Sequence, residues 1–143
     1  MKSIGELLRD ARRRKRLSVE ELSAQVGLDP DTLVQWEEGD PDLERWGRVL
    51  ANIAIELSVP TSRLIAETGR SVDARPGRCG ALIQAAREKR QISPEELAEK
   101  LGLAPEEYST VEAGSSPLET YGPAFLKIAE AVDLPVFNLL YGY

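Results

Sequence analysis

The side chains best placed to do chemistry form a basic run, Arg12, Arg13, Arg14, Lys15 and Arg16, echoed further along by Arg87, Lys89 and Arg90. Such a run can complement the negative end of a helix and cover a solvated face. It can also neutralise the phosphates of a polyanion. Arg45 and Arg48 add two more guanidinium groups to the first set. Against them stands an acidic balance: 18 Lys and Arg face 24 Asp and Glu, a formal charge of −6. That balance argues against nucleic-acid binding by bulk charge and leaves a local basic face as the route. Other chemistries are poorly provided for. With no histidine there is no imidazole for acid–base work. Cys79 is the only thiol, so the chain has neither an internal disulfide nor a Cys/His metal set. With no histidine to activate it, Cys79 reads as a small apolar residue at a helix start. Gly77 and Gly122-Pro123 read as turn or helix-start signals and not as a phosphate cradle. No enzyme, cofactor or metal is expected.

No apolar run approaches the ~20 residues that span a bilayer. Met-Lys-Ser leads straight into a charged helical pattern, so no signal peptide is expected. A reducing cytoplasm fits, with no membrane association.

The elements that must carry these residues come in duplicate. Shifting the chain by 75 residues lays 4–66 on 79–141 without a gap, and 20 of those 63 positions are identical. Leu17, Ser18, Glu20, Glu21, Leu22, Gly27, Leu28 and Pro30 meet Ile92, Ser93, Glu95, Glu96, Leu97, Gly102, Leu103 and Pro105. Between the copies lie Gly69, Ser71, Asp73, Pro76 and Gly77, a linker composition. The expected organisation is a first domain at 1–67, a linker at 68–78 and a second domain at 79–143.

Each copy predicts five helices and no strand. Ser3 with Glu6 forms a capping box for helix 1, about Ile4 to Arg16. Ser18 with Glu21 opens helix 2, which Gly27 ends. Asp29-Pro30 opens helix 3, which Gly39 ends. In the second copy Ala104 is a poor cap, so Glu106 and Glu107 must help by their charge. Leu50, Ile53, Ala54 and Leu57 give helix 4 its apolar face, as do Phe125, Ile128, Ala129 and Val132. A short fifth helix follows Pro60 and Pro135.

The run Arg12…Ser18-Val19-Glu20-Glu21-Leu22…Gly27-Leu28…Glu37-Glu38-Gly39 resembles the phage repressor/Cro (XRE) helix-turn-helix family. So does Arg87…Ser93-Pro94-Glu95-Glu96-Leu97…Gly102-Leu103…Glu112-Ala113-Gly114. The resemblance covers about 130 residues and implies an all-α fold of two tandem five-helix domains forming a pseudo-dimer. It implies partly buried ion pairs Arg12–Glu37 and Arg87–Glu112, each tying the end of helix 1 to the end of helix 3. It also implies that helix 2 braces on the DNA backbone while helix 3 enters the major groove, the docking geometry for which repressors of this family are the standard example. Base-facing candidates are then Pro30, Asp31, Thr32 and Gln35, and in the second copy Pro105, Glu106, Glu107 and Thr110. Phosphate candidates are Arg13, Arg14, Lys15, Arg45 and Arg48, with Lys89 in the second copy.

Two functions follow. The first is a DNA-binding transcription regulator, engaging double-stranded DNA at low salt mainly through copy one. The second is a protein-interaction module that kept the fold and lost the DNA. Asp31, Glu106 and Glu107 favour the latter, because acids at a helix start occupy the positive end that would otherwise receive a phosphate. Trp36, Trp46 and the tail Phe137, Leu140, Tyr141 and Tyr143 read as packing or as a contact between copies, with a homodimer or protein partner.

Overall fold

The computed structural model describes residues 2–141; Tyr143 lies outside them. The described residues are helical throughout, with no strand. The α-helices are α1 (Ile4–Arg14), α2 (Val19–Val26), α3 (Pro30–Gly39), α4 (Pro41–Leu57), α5 (Arg78–Lys89), α6 (Pro94–Leu101), α7 (Pro105–Glu112), α8 (Leu118–Ala131) and α9 (Val136–Tyr141). Two 3-10 turns, Thr61–Leu64 and Ser71–Asp73, lie between α4 and α5. The fifth element of the first half is therefore the 3-10 turn after Pro60, whereas Pro135 leads into a full helix.

Local chemistry sets the boundaries. Ser3 and Glu6 cap α1 reciprocally, at 3.1 and 3.2 Å, and Ser18 and Glu21 do the same for α2. These bonds satisfy amides that a helix start leaves bare. Helix α1 stops two residues short of Arg16, which takes a left-handed φ of 57°, and Gln91 does likewise after α5. At α7, Glu107 accepts from the Ala104 amide at 3.2 Å, so its carboxylate supplies a bond that alanine cannot.

The two halves are interlocked. Helix α1 packs on α9 and α2 on α8, while α5 packs on the Thr61–Leu64 turn and α6 on α4. Helices α4 and α8 also pack on each other, and each keeps its first turn with its own half. There Glu44 accepts from the Ile4 and Gly5 amides at 2.8 and 2.9 Å. Glu119 accepts from Gly77 and Gly80 at 2.8 and 2.9 Å. Beyond that turn the chain crosses over. Lys15 pairs with Asp133 of the other half, and Arg90, 75 residues on, donates to the Ser58 carbonyl at 3.2 Å. One continuous set of buried side chains results, from Ile4 and Leu8 through Leu50, Ile53 and Leu57 to Phe125, Leu139 and Leu140.

Neither half closes its own core. Peptides spanning 1–67 and 79–143 are each expected to show little helix and no cooperative melt alone. Mixed in equal amounts they should regain both, as followed by circular dichroism. A cooperative melt of either peptide as a monomer would contradict this exchange.

Candidate nucleic-acid interface

In each half one buried ion pair and one backbone contact fix the first helix against the third. Gly5 lets α1 sit directly on the end of α3: a Cβ there would lie 2.3 Å from the Trp36 carbonyl and 2.8 Å from that of Glu37. Two turns along α1, Arg12 grips the same corner. Its Nε and Nη2 donate to the two Glu37 oxygens at 2.7 and 2.9 Å, and Nη1 donates to the Leu17 carbonyl at 2.9 Å. Both side chains are buried. The fork thereby ties α1, the α1–α2 turn and α3 together. In the second half Arg87 binds Glu112 at 2.6 and 3.1 Å and the Ile92 carbonyl at 2.8 Å. Gly80 approaches the Val111 carbonyl as Gly5 approaches that of Trp36.

The electrostatics follow from this geometry. Bonding to Glu37 raises the Arg12 pKa against the opposing effect of burial, and Glu112 does the same for Arg87. Each glutamate takes a further partner, but of different kinds. Arg9 reaches Glu37 at 3.5 Å, while in the second half the buried Tyr108 hydroxyl donates to Glu112. Burial, reinforced by Glu112, pushes the Tyr108 phenol well above its ordinary range.

Sequence reasoning missed Gly5, Gly80, Glu44 and Glu119. Their signal was present, since all four are identical across the 75-residue shift. They act through backbone groups, which side-chain motifs do not display. Asp40 and Asp42 were missed as well. Asp40 caps α4, accepting from Asp42 and Leu43 at 2.9 and 3.2 Å, and Asp42 accepts from the Tyr121 hydroxyl at 2.9 Å.

Helices α3 and α7 each present an outward face. On α3, Asp31 and Gln35 are exposed and Thr32 is half-buried; on α7, Pro105, Glu106 and Thr110 are exposed. Helices α2, α3 and α7 carry no Lys or Arg, and α6 carries only Lys100. Glu95 of α6 and Glu106 of α7 flank a hollow of about 390 Å³ in the second half.

Several candidate contacts already have partners within the chain. Gln35 donates to Asp40 at 3.0 Å, and the Thr110 hydroxyl donates back to the Glu107 carbonyl at 2.6 Å. Arg45 pairs with Glu107 at 2.7 Å and stacks over Trp46, with 5.1 Å to the ring centroid. That bond, and then the Ala104 amide, hold the Glu107 carboxyl below its usual pKa. Arg48 lies over the Tyr141 ring at 5.1 Å. Lys15 is engaged by Asp133, as described. Arg13 and Arg14 are exposed and form no ion pair among the described residues; neither does the exposed Lys89. Trp36 and Trp46 are buried, and Trp36 meets the Tyr121 ring across the halves at 5.7 Å. In the tail, Leu140 is buried and Tyr141 donates to Asn52 of the first half at 2.6 Å.

In the second half a helix, a tight glycine turn and a second, outward helix, α6, Gly102 and α7, form a helix-turn-helix. Residues 83–120, from α5 to the first turn of α8, match the family model described as helix-turn-helix. That match supports the repressor/Cro-type resemblance for this segment. No curated protein and no solved structure gives a significant match to the chain. Among the described residues no helix is long and apolar enough to cross a membrane, and no group of side chains could hold a metal ion.

The clamp makes an asymmetric prediction. Glu37→Ala leaves the Arg12 guanidinium buried without its carboxylate and should cost ~3–5 kcal/mol in urea denaturation. Replacing Arg12 with Met and Glu37 with Leu together should cost less. A double variant as unstable as Glu37→Ala would show that the charge pair is not the source of the loss. Burial likewise pushes the Cys79 thiol up to about 12. Cys79 should therefore resist iodoacetamide at pH 8 in the folded protein and react once unfolded, as read by mass spectrometry.

Proposed function

We propose that the protein is a helix-turn-helix transcription regulator of the repressor/Cro type. Its two halves form a built-in pseudo-dimer that contacts double-stranded DNA mainly through the first half. The observation carrying this reading is the outward face of α3, held rigidly by the Arg12–Glu37 fork, with the unpaired Arg13 and Arg14 adjoining the same clamp. Thr32 and Gln35 would meet base edges and Arg13 and Arg14 would meet phosphates. The arrangement of the units as 1–67, 68–78 and 79–143 is part of this proposal. It is supported by the 20 identities in 63 positions and by a clamp built twice from the same residue types.

A different role suits the second half. Its reading helix presents Glu106, Thr110 is bonded to its own helix, and Glu107 is taken by Arg45. A face of that charge repels phosphates and suits contact with a protein partner. In this division of labour the first half reads DNA and the second docks a protein.

Selection from randomised duplexes at low salt tests the proposal. The wild type should enrich a defined sequence. Arg14→Ala should weaken every duplex alike and lower the salt slope by about 1, whereas Gln35→Ala should relax preference at one base pair. Failure to retain any duplex at low salt would leave protein docking as the function of both halves.

A further inference from the structure

Between α3 and α4 the chain turns within a single residue, Asp40, after Gly39 adopts a φ of 115°. That turn brings Asp40 within hydrogen-bonding reach of Gln35 on α3. Asp40 is thereby divided between two tasks. One carboxylate oxygen caps α4 through Asp42 and Leu43, and the other accepts from the Gln35 amide nitrogen at 3.0 Å. Resting on the DNA-reading proposal above, we propose that Asp40 is a positioning residue that fixes the orientation of the Gln35 amide and so sets which base the first half prefers.

A free glutamine side chain can turn its amide over and offer either end. In this chain the nitrogen is held toward Asp40. What remains outward is the carbonyl oxygen, an acceptor, and the second N–H, a donor. Adenine offers the complement in the major groove, a donor at N6 beside an acceptor at N7. Guanine offers two acceptors there, O6 and N7, and a glutamine with one N–H already engaged cannot satisfy both. Asp40 thus disfavours guanine without touching DNA. The second half has no such device: Thr110 and Ser115 stand at the corresponding positions, with the Ser115 amide bonded to the Thr110 carbonyl at 3.0 Å.

Two variants keep the α4 cap and change only what Gln35 meets. Asp40→Ser retains an N-cap oxygen and leaves the Gln35 amide unheld. Its adenine-over-guanine preference at the contacted base pair should fall roughly fivefold, the scale of one ordinary hydrogen bond. Asp40→Asn also caps with its oxygen and turns an NH₂ toward Gln35. The Gln35 amide should then flip, direct both N–H groups outward and favour guanine. Selection from randomised duplexes reads these preferences. The Gln35 side-chain amide resonances in an ¹H–¹⁵N spectrum of the DNA-free protein should shift in both variants. A preference in Asp40→Asn unchanged from wild type, or Gln35 resonances that do not move, would overturn this inference while leaving DNA reading intact. Enrichment of no duplex by the wild type would overturn both.

Discussion

The close approach of α1 to the end of α3 is the constraint on which the rest of the structure depends. It needs a residue without a side chain, Gly5, and it brings a guanidinium and a carboxylate together in a buried corner. An ion pair in such a place is weak evidence of added stability, since desolvating both groups offsets much of their attraction. Its effect is on geometry. Three planar donors from Arg12 fix α3 and the turn at Leu17 in one register, and the outward residues of α3 inherit that register. The second half repeats the arrangement around Gly80, Arg87 and Glu112, with Tyr108 in place of Arg9 as the extra partner.

The exchange of helices between halves changes what the duplication means. Glu44 and Glu119 anchor the first turns of α4 and α8 at home, and Lys15, Arg90 and Tyr141 then reach across. Positions that a basic face would use for phosphates are consumed by this joinery: Lys15 by Asp133, Arg45 by Glu107, Arg48 by the Tyr141 ring. Arg13 and Arg14 of the first half stay exposed and outside this joinery.

Much of the secondary structure was legible in the sequence because it rests on local chemistry. The Ser3–Glu6 and Ser18–Glu21 boxes, Gly27, Gly102, Pro30, Pro94 and Pro105 mark helix ends within a few residues of where they fall, whereas Gly122-Pro123, read as a turn or helix-start signal, lies inside α8. The extent of α1 was less so: Arg16 turns left-handed, which nothing about arginine announces. The exchange was illegible for a different reason. Leu50, Ile53 and Leu57 state that α4 has an apolar face, but not whose helix will cover it. At the interface, the residue types at Asp31, Thr32 and Gln35 could be read off the sequence. The engagement of Gln35 by Asp40 could not, since it depends on a turn completed in one residue.

Repressors built from separate chains fall apart on dilution, so their occupancy of a site rises steeply with abundance once subunits begin to pair. The interlocked halves of this molecule share one backbone and one core, and no dilution separates them. Under the proposed DNA reading, occupancy of a site would follow the protein's concentration in a graded way from the lowest levels upward. Because each half is encoded separately, the two faces are also free to diverge. The two faces do differ: Glu106 and Glu107 stand in the second half where Asp31 and Thr32 stand in the first.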